Sequence, residues 1–270
     1  CTSRAACYNG TEKNAEAGTV KVAGCPLFTF PRTMDSSANC NLCANCIKAC
    51  PNDAIEVRLR KPTSELWFIR SPRMEESFLA MAIMGIVIIQ NLTMLDVWGT
   101  FLAWIETTTG VTSQPAIFTM AFTIAVAAPV GLLVLASKVA SRGNLESTKL
   151  NFARFGYALI PLDVAGHIAH NLFHLLAEGK SVAYTIITMF GGKPVDESAA
   201  LLDMGTIQVL QYVVLALGIA GSVYAARRIS QSTHRIATRR RATVVPMTVL
   251  VVLLGAINVW MFALPMAHRM

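Results

Sequence analysis

The chain has 270 residues, 54% of them hydrophobic and only 14% charged, with a formal net charge of +7. Soluble domains carry about 25% charged residues, so an ordinary soluble enzyme is excluded and lipid is the expected surrounding. Many of the cations flank apolar runs, which makes the positive charge a membrane-topology signal and leaves no nucleic-acid face.

The first seventy-odd residues are polar and hold all seven cysteines, within residues 1–50. An odd count and tight spacing argue against a disulfide-rich secreted module. The chain starts with Cys1 and not Met, as a fragment or a processed product would; a lipoprotein with a lipidated Cys1 is one processed form. Asn9-Gly10, Gly24-Cys25-Pro26 and Cys50-Pro51 mark turns. Ile55, Val57 and Leu59 alternate with Glu56, Arg58 and Arg60, the pattern of a short strand.

Cys40, Cys43, Cys46 and Cys50-Pro51 form a C-x2-C-x2-C-x3-C-P run. The spacing is that of bacterial-type ferredoxins, in which closely spaced thiolates wrap a [4Fe–4S] cluster. Zinc is the competing reading, but it favours two separated Cys pairs. The fourth Cys of such a run ligates the other cluster in two-cluster ferredoxins. On that crossed pattern Cys25 joins Cys40, Cys43 and Cys46, and Cys50 joins Cys1, Cys7 and a thiolate upstream of the first residue. The alternative leaves Cys1, Cys7 and Cys25 as free thiols.

Five apolar stretches follow, at 78–95 with a continuation to 104, 116–139, 152–176, 204–226 and 244–265. Each is near the ~20 residues that cross ~30 Å of hydrocarbon. Trp98, Trp104 and Trp260 suit interfacial belts. Arg70 and Arg73 precede the first stretch; Lys138, Arg142, Lys149 and Arg154 lie around the second connection, and Arg227, Arg228, Arg235 and Arg239–Arg241 around the fourth. The connections at 105–115 and 177–203 are poor in cations, so the bias puts the cysteine domain in the cytoplasm. The arginine-rich run also suits anionic lipid headgroups or an acidic redox partner.

The third stretch carries Asp163, His167, His170 and His174. At ~100° per residue they share one helix face about 60° wide. Pro161, just before Asp163, should loosen the helix there. Gln90, Asn91, Asp96, Gln208, Gln211 and Asn258 fall at similar depth in other stretches, and together predict a polar pocket toward the outer leaflet. Three readings stay open for the stripe: a quinone site, in which His and Asp exchange protons; haem b or metal ligation; and interhelical hydrogen bonding. Gly218 and Gly221 predict close helix packing.

Cysteine run and helices together resemble the C-terminal part of the membrane-bound polyferredoxins of the NapH/NosR type. The resemblance rests on Cys40, Cys43, Cys46, Cys50 and Pro51 and on the architecture; Cys25-Pro26 lacks the Cys four residues earlier that the family's pairs have. It implies a small α+β ferredoxin-like iron–sulfur domain at 1–72, truncated at its start, and an all-α membrane bundle of about five helices at 73–270. It implies one or two [4Fe–4S] clusters in a multi-pass protein of a bacterial or archaeal inner membrane, with the clusters cytoplasmic. The expected role is electron transfer between a cytoplasmic carrier or the quinone pool and a respiratory partner enzyme, as a component more than a stand-alone enzyme. An assembly or metal-handling accessory protein is the competing role, and a transporter using the stripe as its ion path a third.

Overall fold

A computed structural model describes residues 5–15, 18–34, 37, 39–69, 71–193 and 198–265. The chain divides into two compact units, Cys1–Ser71 and Pro72–Met270.

The first unit has little regular structure. Its elements are α1 (Ala6–Asn9), β1 (Thr11–Ala15), β2 (Gly18–Val22), α2 (Asn45–Ala49) and α3 (Glu65–Phe68), and β1 pairs antiparallel with β2 in a two-stranded sheet. Residues 55–59 form no strand: Val57 and Leu59 are exposed, and no strand among the described residues offers them a ladder. Alternation alone does not make a strand, which also needs a partner edge.

The second unit is helical: α4 (Met74–Leu92), α5 (Val97–Thr109), α6 (Gln114–Asn144), α7 (Thr148–Ala177), α8 (Gly179–Met189), α9 (Met204–Thr233) and α10 (Ala237–Ala263). Four of them, α4, α6, α9 and α10, are long and apolar enough to cross a membrane. α7 spans 30 residues, about 45 Å, but its Asn, Asp and His residues keep it out of that set, where five crossing helices were expected. The first apolar stretch also divides. α4 ends at Leu92, 3₁₀-type bonds from Met94 and Leu95 to Asn91 and Leu92 close its last turn, and α5 starts afresh. Trp98, Phe101 and Leu102 of α5 then pack on Ile117 and Ala121 of α6.

α7 is the hub. It packs against α4, α6, α9 and α10, while Val164, Ile168 and Leu175 face outward. Small residues allow the close approaches. A Cβ on Gly218 of α9 would lie 2.3 Å from the Ala165 Cβ, and one on Gly156 of α7 would lie 2.3 Å from the Ser77 Cβ of α4. α7 runs unbroken through Pro161, and the Ser222 hydroxyl of α9 accepts a hydrogen bond from the Leu162 N–H at 2.9 Å. Polar groups span the same interfaces: Ser77 donates to the Ala153 carbonyl at 2.6 Å, and the Tyr157 hydroxyl donates to Glu76.

A buried polar knot closes one end of the bundle. Asn144 donates to Asn151 at 2.8 Å and to Thr243 at 3.0 Å. Arg154 pairs with Glu146 at 2.5 Å, and the buried His234 imidazole stands 3.7 Å from the same carboxylate. Burial holds the His234 pKa below its ordinary value; Glu146 pulls it up, whereas Arg154, Arg239 and Arg240 add to the lowering.

Two predictions follow from this packing. Gly218→Ala overfills the α7–α9 contact and should destabilise the bundle by about 1–3 kcal/mol, read as a lower thermal midpoint in detergent. The unfolded chain protonates His234 near pH ~6.5, whereas the folded protein resists that protonation. Stability is therefore fully present above that pH and falls as pH drops through it. Thermal midpoints of wild type and His234→Gln should diverge between about pH 7 and 5, with the variant losing less; parallel curves would remove His234 from the acid response.

Candidate functional site

The first unit gathers its thiols into two groups. Cys25, Cys40, Cys43 and Cys46 line one small cavity of about 30 Å³, together with Thr29, Asn39 and Asn41. Cys7 and Cys50 line another, beside Arg32, Arg58 and Arg60. None of these six cysteines forms a disulfide. Cys1 lies outside the described residues.

Local backbone chemistry explains the grouping. Leu42 (φ 56°) and Ala44 (φ 62°) both adopt the left-handed conformation between the cysteines of the run. For residues with a side chain that costs roughly 1–2 kcal/mol each, and such strain collects at functional sites. These two residues punctuate the run whose Cys40, Cys43 and Cys46 line one cavity. The Asn45 side chain donates to the Gly24 carbonyl at 3.4 Å and ties the start of α2 to the Cys25 loop. The Thr29 N–H points at the Cys25 sulfur, 3.4 Å away.

The two Cys-Pro segments share one local fold. Phe28 (φ 51°) and Asp53 (φ 48°) each sit three residues after their cysteine, in the same left-handed conformation. At Gly24 a Cβ would lie 2.0 Å from the Tyr8 carbonyl oxygen, so only glycine lets the α1 segment approach the Cys25 loop. α1 in turn packs on α2, which brings Cys7 toward Cys50.

Burial pushes the Cys7 and Cys46 thiols up, against opposing backbone hydrogen bonds. Neighbouring sulfurs push the same way: Cys50 and Cys46 beside Cys7, and Cys40 and Cys43 beside Cys46. Among the described residues, no three Cys, His, Asp or Glu side chains are close enough to share a single metal ion.

The second unit contains a cavity of about 370 Å³ at the end of the bundle opposite the polar knot. α4, α7, α9 and α10 all contribute to its wall. Met94, Leu95, Phe173, Met204, Met261 and Phe262 supply the apolar part, and Asn91, His170, Gln208 and Gln211 the polar part. His170 Nδ1 lies 2.8 Å from the Asn91 carbonyl oxygen; in the tautomer that donates from Nδ1, Nε2 is the ring's acceptor. The Asn91 amide nitrogen is buried with no hydrogen-bond partner among the described residues. Gln211 donates to the Ala169 carbonyl at 2.9 Å and Gln208 to the Phe262 carbonyl at 3.0 Å, which fixes both side chains.

The polar stripe on α7 is thereby sorted. His170 reaches the cavity, whereas His167 is not part of its wall. Asp163 is buried, with one carboxylate oxygen lacking a hydrogen-bond partner among the described residues. His174 lies one turn beyond His170, its ring 5.0 Å from the His170 ring, and contacts Glu178 at 3.1 Å. Of the other pocket candidates, Asn91, Gln208 and Gln211 line the cavity. Gln90 and Asp96 are exposed, and Asn258 turns back to the Leu254 carbonyl at 2.9 Å. Sequence reasoning missed the methionines and phenylalanines, which look like ordinary span residues, and Glu178, which looks like a loop charge.

No protein-family model, no curated protein and no solved structure matches this chain.

Proposed function

We propose that the chain is a membrane-anchored electron-transfer protein whose cysteine unit holds [4Fe–4S] clusters. One observation carries the reading: Cys25, distant in sequence from the run, shares a cavity with Cys40, Cys43 and Cys46, while Cys50 pairs off with Cys7. Crossed ligation of two clusters requires that partition. Four thiols spread round one cavity suit a four-iron cluster better than one zinc ion, whose thiolates all lie about 2.3 Å from the same centre. The cavity has roughly the volume of one water, so a cluster would hold the two cysteine loops apart instead of filling a ready-made space. When bound, such clusters supply one-electron redox chemistry. The chain's part is to supply thiolates, amide donors such as the Thr29 N–H, and the flanking cations Arg32, Arg58 and Arg60. The fold around them would be a reduced ferredoxin-like unit, with the single β1–β2 hairpin as its sheet.

The quinone pool is the proposed membrane-side partner, and a respiratory enzyme the other. The bundle cavity has the size and the apolar lining of a small-molecule site. The unpartnered Asn91 amide N–H and the basic His170 Nε2 on its wall would respectively donate to a quinone carbonyl and accept from a quinol hydroxyl. Haem fits less well among the described residues, where α7 supplies histidines from one side only and His234 sits at the opposite end of the bundle; His268 lies outside those residues. The cation bias of the connections puts the cysteine unit on the cytoplasmic side, with α7 as a fifth crossing helix shielded by the other four.

Protein purified without oxygen should contain about four iron and four sulfide per cluster, and Cys43→Ala should abolish the reduced-state EPR signal of one cluster. Zinc without sulfide would overturn the reading. His170→Ala should keep the clusters yet slow their exchange with quinol at least ~10-fold, about 1.4 kcal/mol of barrier. His167→Ala should change that rate little, since His167 does not line the cavity. Rapid-mixing absorbance of menadiol-reduced protein measures both.

A further inference from the structure

The outer surface of the bundle carries a seam between α6 and α10 that plays no part in the cysteine unit or the cavity. The helices meet where α6 ends and α10 begins. A Cβ on Gly143 would lie 2.5 Å from the Ala242 Cβ, and Asn144 donates to Thr243 at 3.0 Å. The last turn of α6 thus touches the first turns of α10, and the two helices pack antiparallel. Both are long and apolar enough to cross a membrane.

One residue before the contact on each helix stands an exposed arginine, Arg142 on α6 and Arg241 on α10. Each heads an exposed apolar stripe: Leu135 and Val139 on α6, Val245 and Val249 on α10. The three- and four-residue steps keep each stripe and its arginine on one helix face. At ~100° per residue Val139 stands within ~40° of Gly143, and Val249 within ~20° of Ala242. Both stripes therefore border the line along which the helices touch, and both lead from an arginine into the hydrocarbon.

The protein supplies no anion to these arginines. Residues 107–162 and 204–265 hold one acid, Glu146, and it is engaged by Arg154 and His234. Arg240 is spent on the same knot, reaching the His234 carbonyl at 3.5 Å. Arg142 and Arg241 form no ion pair among the described residues. Paired cations at the head of an apolar seam match a phosphate joined to acyl chains. An arginine at the end of a span reaches headgroup level along its own aliphatic stem, and its guanidinium forks onto phosphate oxygens through two parallel N–H bonds. An acidic protein would meet the arginines but would not follow the seam into hydrocarbon.

We propose that the α6–α10 seam binds an anionic phospholipid, its phosphate at Arg142 and Arg241 and its acyl chains along Leu135, Val139, Val245 and Val249. The site belongs to the helical unit alone and does not depend on the iron–sulfur or quinone reading.

Native mass spectrometry of the delipidated full chain in neutral detergent, titrated with phosphatidylglycerol or phosphatidylcholine, tests the site. Wild type should retain one phosphatidylglycerol in preference to phosphatidylcholine. Arg142→Gln and Arg241→Gln should each weaken phosphatidylglycerol binding about fivefold, the weight of one cation at an anionic surface, and leave phosphatidylcholine binding unchanged. Arg227→Gln, which removes an equally exposed cation from α9, should change either affinity less than about twofold, since salt screens separated surface charges. Both seam arginines are exposed, so thermal midpoints without lipid should match wild type; Arg142→Lys and Arg241→Lys, which keep the charge and lose the fork, carry the test if a Gln variant does not fold. Inorganic phosphate at matched ionic strength should not displace the lipid. Displacement by phosphate would assign the arginines to a free anion and overturn the lipid site. Equal wild-type affinity for the two lipids, or a loss in Arg227→Gln as large as in the seam variants, would overturn it as well.

Discussion

An ionisable side chain at hydrocarbon depth costs about 2.5–3.5 kcal/mol even on the most lenient insertion scale. α7 carries Asp163, His167, His170 and His174 within three turns, so it can lie among apolar helices only if that face turns inward. The rest of the bundle follows from this requirement. α4, α6, α9 and α10 pack round α7, and its outward face is left to Val164, Ile168 and Leu175. Enclosing the stripe brings helices close, and glycines at 156 and 218 are where that closeness leaves no room for a Cβ.

The same enclosure creates the cavity. Where the helices splay near the ends of α4 and α10, the inward face of α7 is no longer covered by close contacts, and His170 meets Asn91 across a space of about 370 Å³. At the other end the helices are joined by short connections, and the polar groups satisfy one another in the Asn144–Asn151–Thr243 and Glu146–Arg154–His234 knot. One end of the bundle is therefore locked and the other open to a ligand.

Much of this was legible in the sequence, for identifiable reasons. Cys25 lines the same cavity as Cys40, Cys43 and Cys46, the grouping that a crossed ferredoxin-type spacing would give. The stripe on α7 could be read from helical periodicity, and the close approach at Gly218 from the absence of a side chain. Periodicity could not say which residues of the stripe reach the cavity, because α4 and α9 decide that by covering Asp163 and leaving His170 open. Nor could it show the break after Leu92, where apolar character continues through Leu95 and Val97 while the backbone turns. The strand expected at 55–59 failed for a similar reason. Alternation fixes a local conformation, but a sheet requires an edge that only the tertiary structure can offer.

The central claim is that the thiols are partitioned between two clusters in a crossed pattern. EPR of reduced single Cys→Ser variants tests it most directly. Cys25→Ser should perturb the same signal as Cys43→Ser, and Cys7→Ser the same signal as Cys50→Ser, each pair leaving the other signal unchanged. A Cys25→Ser spectrum identical to wild type, or altered in the signal that Cys50→Ser alters, would contradict the account.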